Sequence, residues 1–374
     1  MSFRCAPMFP GDLLDAAARF AADAADAAAR AADDAPSGAA LRDAWSQAVA
    51  MGWPAMLVDD AHGGAGGSLA DLGAVVEGVA RHALPLPVVR RCAQAPALLA
   101  GLGAAGAPTL RALAAGELDV DPVDASSLVA SIAADGSVRL DGRLEALDIA
   151  LPASHRLAVA GDVALLIPDA MLPSPEARHL GIDGRRSADL ALDGLALPAR
   201  VVLARGPAVE AAARAAADVA TLATAIEMAA TLGATVERAI EYLLQRQQFG
   251  VALATFQVLR HAVVELYVDQ ECASALLARL VADALERGAP DGRDAAMAKL
   301  YLNTLARRAA EASIQLHGGM GMTAELPATR LARRLIVAEF EHGDRTQLLA
   351  RLAAPARIAP LPAPAAEADE RATA

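Results

Sequence analysis

Two short segments carry groups suited to holding phosphate beside a planar ring. Arg246-Gln247-Gln248-Phe249-Gly250 places a guanidinium, two amides, an aromatic ring and a bare backbone within one pentad, and Phe256-Gln257 follows shortly after. Gln315-Leu316-His317-Gly318-Gly319-Met320-Gly321 adds another amide and a Gly-Gly pair. A guanidinium matches a pyrophosphate in fork geometry, and Gly-Gly lets backbone N–H groups approach a phosphate with no Cβ in the way. Each segment also has a plain reading. An arginine at a helix C-terminus is favoured by the helix dipole, and one glycine after a long helix is a common cap. The neighbouring aromatics argue against the first plain reading, and Gly-Gly-Met-Gly exceeds what a cap requires. His317 reads as a packed helix-end histidine rather than a catalytic one. Together the segments suit the phosphates and adenine of a large nucleotide.

The elements that must position them are mostly helical. The chain has 374 residues, 55% of them hydrophobic with alanine dominant and only 3% aromatic. Alanine has the best helix propensity, and this length supports two or three domains with an aliphatic core. A net charge of -12 with no basic run argues against a nucleic-acid surface, so any phosphate must be met by local arginines. Cys5, Cys92 and Cys272 stand far apart, which indicates neither a disulfide framework nor a zinc site. The acidic, alanine-rich start does not read as a signal peptide, and no uncharged run of about 18 apolar residues suggests a membrane span. A reducing, cytoplasmic compartment and no bound metal are the expectations.

Residues 1–117 read as a helical domain, with Ala16 to Ala32 as a solvated surface helix and Asp71 to His82 as an amphipathic one. The loop His62-Gly63-Gly64-Ala65-Gly66-Gly67-Ser68 could cradle phosphate at a helix start, or be a plain turn with Ser68 as N-cap. Residues 118–207 change to short apolar runs separated by Asp-Gly, Gly-Asp and Pro, the pattern of an antiparallel β-domain, with Asp135-Gly136 and Asp141-Gly142 as hairpin turns. Residues 208–355 return to long helices. Leu222, Ile226, Ala229, Gly233, Val236, Ile240 and Leu243 put one apolar stripe on the first. The second, about 255–287, stops at Gly288-Ala289-Pro290; the third runs from about 292 to 317; the fourth begins at Glu325-Leu326-Pro327. Short connections make these an antiparallel four-helix bundle. Residues 356–374, rich in Ala, Pro and Glu, read as disordered.

A helical domain, a small β-domain and a four-helix bundle, in that order, with the two segments quoted above, resemble the acyl-CoA dehydrogenase family over about residues 10–353. The resemblance implies FAD as cofactor, an acyl-CoA thioester as substrate and electron-transfer flavoprotein as electron acceptor. It implies α,β-dehydrogenation, in which a carboxylate takes the α-proton and the β-hydrogen leaves as hydride to the flavin. It assigns Arg246, Phe249 and Gln257 on one side, and Gln315, Gly318 and Gly319 on the other, to a FAD held mainly by a neighbouring subunit, and therefore a homo- or hetero-tetramer.

Two family features are missing. The base is usually the Glu of a Tyr-Glu-Gly-Thr segment; the matching segment is Glu341-His342-Gly343-Asp344, with His342 at the base position and Glu341 where the family has Tyr. One residue along a helix turns a side chain by about 100°, so Glu341 is expected to point away, while His342 titrates near neutrality when unperturbed. A second base position used by some members maps near Ala220 and Thr221, where no carboxylate stands. Residues 118–150 also lack the family's flavin-binding strand and its ring-stacking aromatic, with Asp121-Pro122 a faint echo. These losses resemble the degenerate subunit of α2β2 members, whose large substrates include steroid side chains. Three readings stand: an active dehydrogenase using His342 or Glu341; a subunit that completes a partner's FAD site; and a non-enzymatic helical assembly subunit.

Overall fold

The computed structural model describes residues 3–30, 38–323 and 326–353. Glu325 and the 356–374 tail lie outside the described residues. The N-terminal unit consists of α1 (Asp12–Arg30), α2 (Gly38–Ala50), α3 (Leu69–Ala80), a π-helical turn at Val89–Gln94 that runs into α4 (Ala95–Gly101), and α5 (Ala107–Ala114). α1 is less solvated than expected. Leu14, Ala17 and Ala21 are buried, and Gly78 of α3 lies so close that a Cβ there would come within 2.7 Å of the Ala17 Cβ. An alanine face supports this approach where larger residues would hold the helices apart.

The glycine-rich loop is a plain turn. Its amides are already bonded: Ala65 N–H to the Ala55 carbonyl at 3.1 Å, and Gly66 and Gly67 N–H to the Val58 and Met56 carbonyls at 2.8 Å. Ser68 then starts α3 with a capping box, its Oγ accepting from Asp71 N–H at 3.3 Å and its own N–H donating to the Asp71 carboxylate at 2.8 Å. Such a cap contributes about 1 kcal/mol. None of these three loop amides is left for a phosphate.

The β-domain contains β1 (Val120–Pro122), β2 (Val129–Ile132), β3 (Val138–Asp141), β4 (Arg143–Asp148), β5 (His155–Ala160), β6 (Val163–Pro168), β7 (Ala177–Leu180), β8 (Arg186–Ala191), β9 (Leu195–Leu197) and β10 (Val202–Arg205). Three sheets form, ordered β1-β5-β6-β10, β2-β3-β9 and β4-β8-β7, around Leu140, Leu144, Leu165, Ile167 and Ala188. The pairings are antiparallel except β1 with β5, which is parallel. Asp135-Gly136 turns the β2–β3 hairpin, with Gly136 at φ +83°. Asp141-Gly142 does not make a hairpin: β3 pairs with β2 and β9, whereas β4 pairs with β8. Gly142, at φ +126°, is the corner where the chain changes sheet.

The C-terminal part comprises α6 (Pro207–Gln245), a two-strand hairpin of β11 (Gln247–Gln248) and β12 (Val251–Ala252), then α7 (Gln257–Arg287), α8 (Gly292–His317), α9 (Pro327–Ala338) and α10 (Arg345–Ala353). α6 is buried on more than one stripe: every residue from 220 to 237 is buried except Glu227. α3, α4, α7, α8 and α9 pack around it. By length and composition α6 could cross a membrane, yet 89% of its apolar window is buried within the fold. Its threonines 221, 224, 231 and 235 each donate to the carbonyl four residues back at 2.7–2.8 Å, so no hydroxyl in this helix core is left unpaired. α7 ends on Gly288 in the left-handed conformation, and Asp291 caps α8 by accepting from Arg293 and Asp294 N–H. One continuous core joins the N-terminal helices to the bundle through Trp45, Trp53, Leu72, Val75, Met228, Leu232, Leu302 and Leu335.

Candidate functional site

The two segments expected to hold a nucleotide meet at one end of the bundle. α6 and α8 run the same way, so Arg246 and Gly318 cap neighbouring ends. Tyr242, one turn before Arg246, donates its hydroxyl to the His317 carbonyl at 3.3 Å, and the two rings lie 4.6 Å apart. His317 is buried, with Nδ1 2.7 Å from the Ser313 carbonyl. It is the packed helix-end histidine that its position suggests.

After Arg246 the chain reverses in the β11–β12 hairpin. Phe249 and Gly250 are its two turn residues, both left-handed at φ +53° and +80°. Positive φ at both centres is the hairpin geometry that matches strand twist, but phenylalanine is an unfavourable occupant of the first. Its ring is 90% exposed, touched edge-on by Phe256 at 6.2 Å. Arg246 and Gln315 are exposed, as is Gln257, whose Nε2 lies 3.4 Å from His261. Gly318 has φ +59° and ψ -141°, a conformation open to glycine alone. A Cβ on Gly319 would meet nothing within 4 Å, whereas one on Gly321 would strike the Ile314 carbonyl oxygen at 2.7 Å. Internal packing therefore explains Gly321, while among the described residues nothing asks for a glycine at 319. The donor set and open backbone here fit the phosphate and adenine side of a dinucleotide.

Glu341 and His342, the residues expected at or beside the base position, lie elsewhere, in the turn after α9. The Glu341 carboxylate is held by Arg334, through Nη1 at 3.0 Å and Nη2 at 2.5 Å, and by Arg185 Nη1 at 2.9 Å. Arg334 also donates Nε to Glu227 at 2.6 Å, and Asp183 lies 3.5 Å from its Nη1. Burial alone would raise the Glu341 carboxyl, but Arg334 and Arg185 outweigh it and hold it well below the usual carboxylate range. A carboxylate so stabilised is a poor proton acceptor. Glu341 instead docks the β7–β8 turn, which carries Asp183 and Arg185, onto α6 and α9.

His342 sits at φ +51° with its imidazole between the bundle and the N-terminal unit. Nδ1 is 2.8 Å from Thr224 Oγ1, and Nε2 is 3.4 Å from Gln94 Oε1. Thr224 has one proton and spends it on the Ala220 carbonyl at 2.8 Å, so we assign the ring proton to Nδ1; Nε2 is then an acceptor, and the Gln94 side-chain amide is assigned with its NH2 group rather than Oε1 facing the ring. Burial lowers the imidazole to about 4; Glu341 opposes this, while Arg90 and Lys299 add to it. The ring is thus neutral at physiological pH. Ala220 and Thr221 are buried in α6, and Thr221 Oγ1 reaches the His342 carbonyl at 3.3 Å.

The flavin-ring side does not fit. Asp121 in β1 is fully buried and faces three arginines: Arg156 Nη1 at 2.8 Å, Arg90 Nη1 at 3.5 Å and Arg91 Nε at 3.5 Å. Residues 118–205 contain no Phe, Trp or Tyr to stack on an isoalloxazine. Trp45, under the Arg91 guanidinium at 5.3 Å, donates Nε1 to Asp119 and belongs to the N-terminal core. Reading the sequence passed over Thr224, Gln94, Arg185, Arg334, Lys299 and Tyr242. Only Lys299, a lone cation amid Ala295-Ala296-Met297-Ala298, carried a local signal.

Comparison with known proteins agrees with this architecture. Two family models match on either side of the β-domain: acyl-CoA dehydrogenase, N-terminal domain, over residues 11–117, and acyl-CoA dehydrogenase, C-terminal domain, over residues 211–355. A probable short/branched chain specific acyl-CoA dehydrogenase of Dictyostelium discoideum is 40% identical over 104 residues, 28% of this chain and 25% of that protein. Two bacterial relatives are likewise spanned over less than half their length, 44% and 43%. Among solved structures, butyryl-CoA dehydrogenase from Megasphaera elsdenii has a TM-score of 0.77 at 19% identity, covering 94% of this chain and 98% of that one. The ChsE4-ChsE5 complex from Mycobacterium tuberculosis has a TM-score of 0.75 at 18% identity, covering 93% and 98%; at such identities the likeness is one of fold. With both helical units matched by models of one family and the whole architecture shared with its solved structures, the chain belongs to the acyl-CoA dehydrogenase family.

Proposed function

We propose that this chain is a subunit of an acyl-CoA dehydrogenase assembly that completes the nucleotide end of a partner's FAD site. The observation that carries the reading is the exposed, left-handed Phe249 beside Arg246 and the open Gly318-Gly319 backbone, a surface that costs this chain stability and, among the described residues, packs against little but Phe256. Members of the family are FAD-dependent, and bound FAD supplies the acceptor for the hydride that leaves the acyl β-carbon. Arg246 would pair with pyrophosphate oxygens, the Phe249 ring would lie against adenine, and Gln257, Gln315 and the Gly318-Gly319 amides would donate hydrogen bonds. The acyl-CoA substrate, and electron-transfer flavoprotein as its acceptor, belong in this reading to the partner's centre. Three free cysteines, two of them buried, suit a reducing, cytoplasmic setting.

The test is co-expression with a full-length family homologue. The expected result is a colourless chain when purified alone and a yellow hetero-oligomer with about one FAD per two chains, whose flavin is lost in Arg246→Ala. A yellow, active homo-oligomer with one FAD per chain would overturn the reading. A non-enzymatic assembly role predicts no flavin in any complex. One observation favours autonomous catalysis: the unprotonated Nε2 of His342 at the base position. On that view His342→Gln abolishes dehydrogenation, whereas under the main reading it leaves the complex's turnover unchanged.

A further inference from the structure

Lys299 has no exposed surface, yet it bears an ammonium. Nζ lies 2.6 Å from Asn303 Oδ1, 2.9 Å from the Ala338 carbonyl, and 3.3 Å from each of the Glu339 and Gly343 carbonyls. Asn303, one turn further along α8, sends its own Nδ2 to the same Gly343 carbonyl at 3.3 Å. Burying an ammonium is costly, and an apolar side chain of like size would fill the space without that penalty. The acceptors explain the choice, and Gly343 is the one shared by both donors. The turn they hold is not a relaxed one: His342 and Gly343 have φ +51° and +116° in succession. Only the glycine takes such a conformation freely. From the inner side, Thr224 meets the His342 ring.

We propose that Lys299 and Asn303 are positioning residues for His342: by gripping the Gly343 carbonyl they keep the His342 backbone left-handed and so aim its imidazole at Thr224 and Gln94. The turn is clamped between α8 on one side and α6 on the other, and the ring direction follows from the clamp. This holds whether the chain supplies a base or lends its surface to a partner, so it does not rest on the functional reading above.

The experiment is nitrogen NMR of the full chain with labelled histidine, at neutral pH, with the His342 signals assigned by their loss in His342→Gln. Wild type is expected to show a single Nδ1–H tautomer at His342. Asn303→Ala changes no charge, so any response reads position alone; it is expected to convert His342 to the mixed tautomers of an unrestrained ring. Lys299→Met is expected to do the same more completely. His317, whose Nδ1 faces the Ser313 carbonyl at the far end of α8, is the internal control and stays unchanged. If the His342 pattern survives both substitutions while thermal stability falls, the two residues merely cap α9 and the proposal fails. Should Lys299→Met not fold, Asn303→Ala decides alone: an unchanged tautomer overturns the proposal.

Discussion

Gly319 and Gly321 stand in one turn and answer to different demands. A methyl at 321 meets the Ile314 backbone at 2.7 and 2.9 Å, so Gly321→Ala should cost about 1–3 kcal/mol, read as a lower denaturant midpoint. Gly319→Ala meets open space and should leave the isolated chain's stability within about 0.5 kcal/mol, while reducing the flavin retained by the co-expressed complex. A stable Gly319→Ala complex with full flavin content would show that nothing approaches this backbone. His342 makes a separate prediction in pH. Its folded imidazole is held at about 4 against an ordinary 6.5, so between those values the unfolded chain binds a proton that the folded chain refuses. Stability therefore falls as pH drops through that window, by about 3 kcal/mol when fully developed. Urea midpoints across this range should fall less steeply in His342→Gln.

At the scale of elements, the ion cluster of Arg185, Glu341, Arg334 and Glu227 joins the β7–β8 turn to α6 and α9. Glu341→Gln leaves two guanidiniums short of a charge and, discounted for partial exposure, should cost about 2–3 kcal/mol. Hydrogen exchange should rise at residues 181–185 more than in α8; a uniform rise would contradict the docking role. This cluster was invisible in the sequence because its members come from separate segments and none has a telling neighbour. The bundle's helix ends were legible because Gly288, Asp291 and Pro327 announce themselves locally. Arg246 and Gly318-Gly319 were legible for the same reason. The all-round burial of the middle of α6 was not, since alanine and threonine score weakly for either face. Individual strands carried less local signal than the helix ends: β7 is largely exposed, and β4 pairs with a strand some forty residues on, at Leu144 with Leu190. Asp141-Gly142 reads as a hairpin locally, and only the distant pairing makes it a corner.

At the scale of the molecule, the proposed function gives this chain one half of a cofactor site, the place of the other half being filled by the chain's own charges. Added FAD should raise the melting temperature of the co-expressed complex and leave that of the isolated chain unmoved, because a ligand stabilises only a state that binds it. A rise for the chain alone would point to a complete site within it. The shared hydrophobic core has an optical consequence as well. Both tryptophans, Trp45 and Trp53, are buried in the N-terminal helices, and Trp45 lies under a guanidinium, so intrinsic fluorescence is a local reporter. Circular dichroism, by contrast, is dominated by the long bundle helices. Since one core links the two units, the emission and dichroism transitions should coincide on heating, and any gap between the curves would measure how independently the reporter's unit melts.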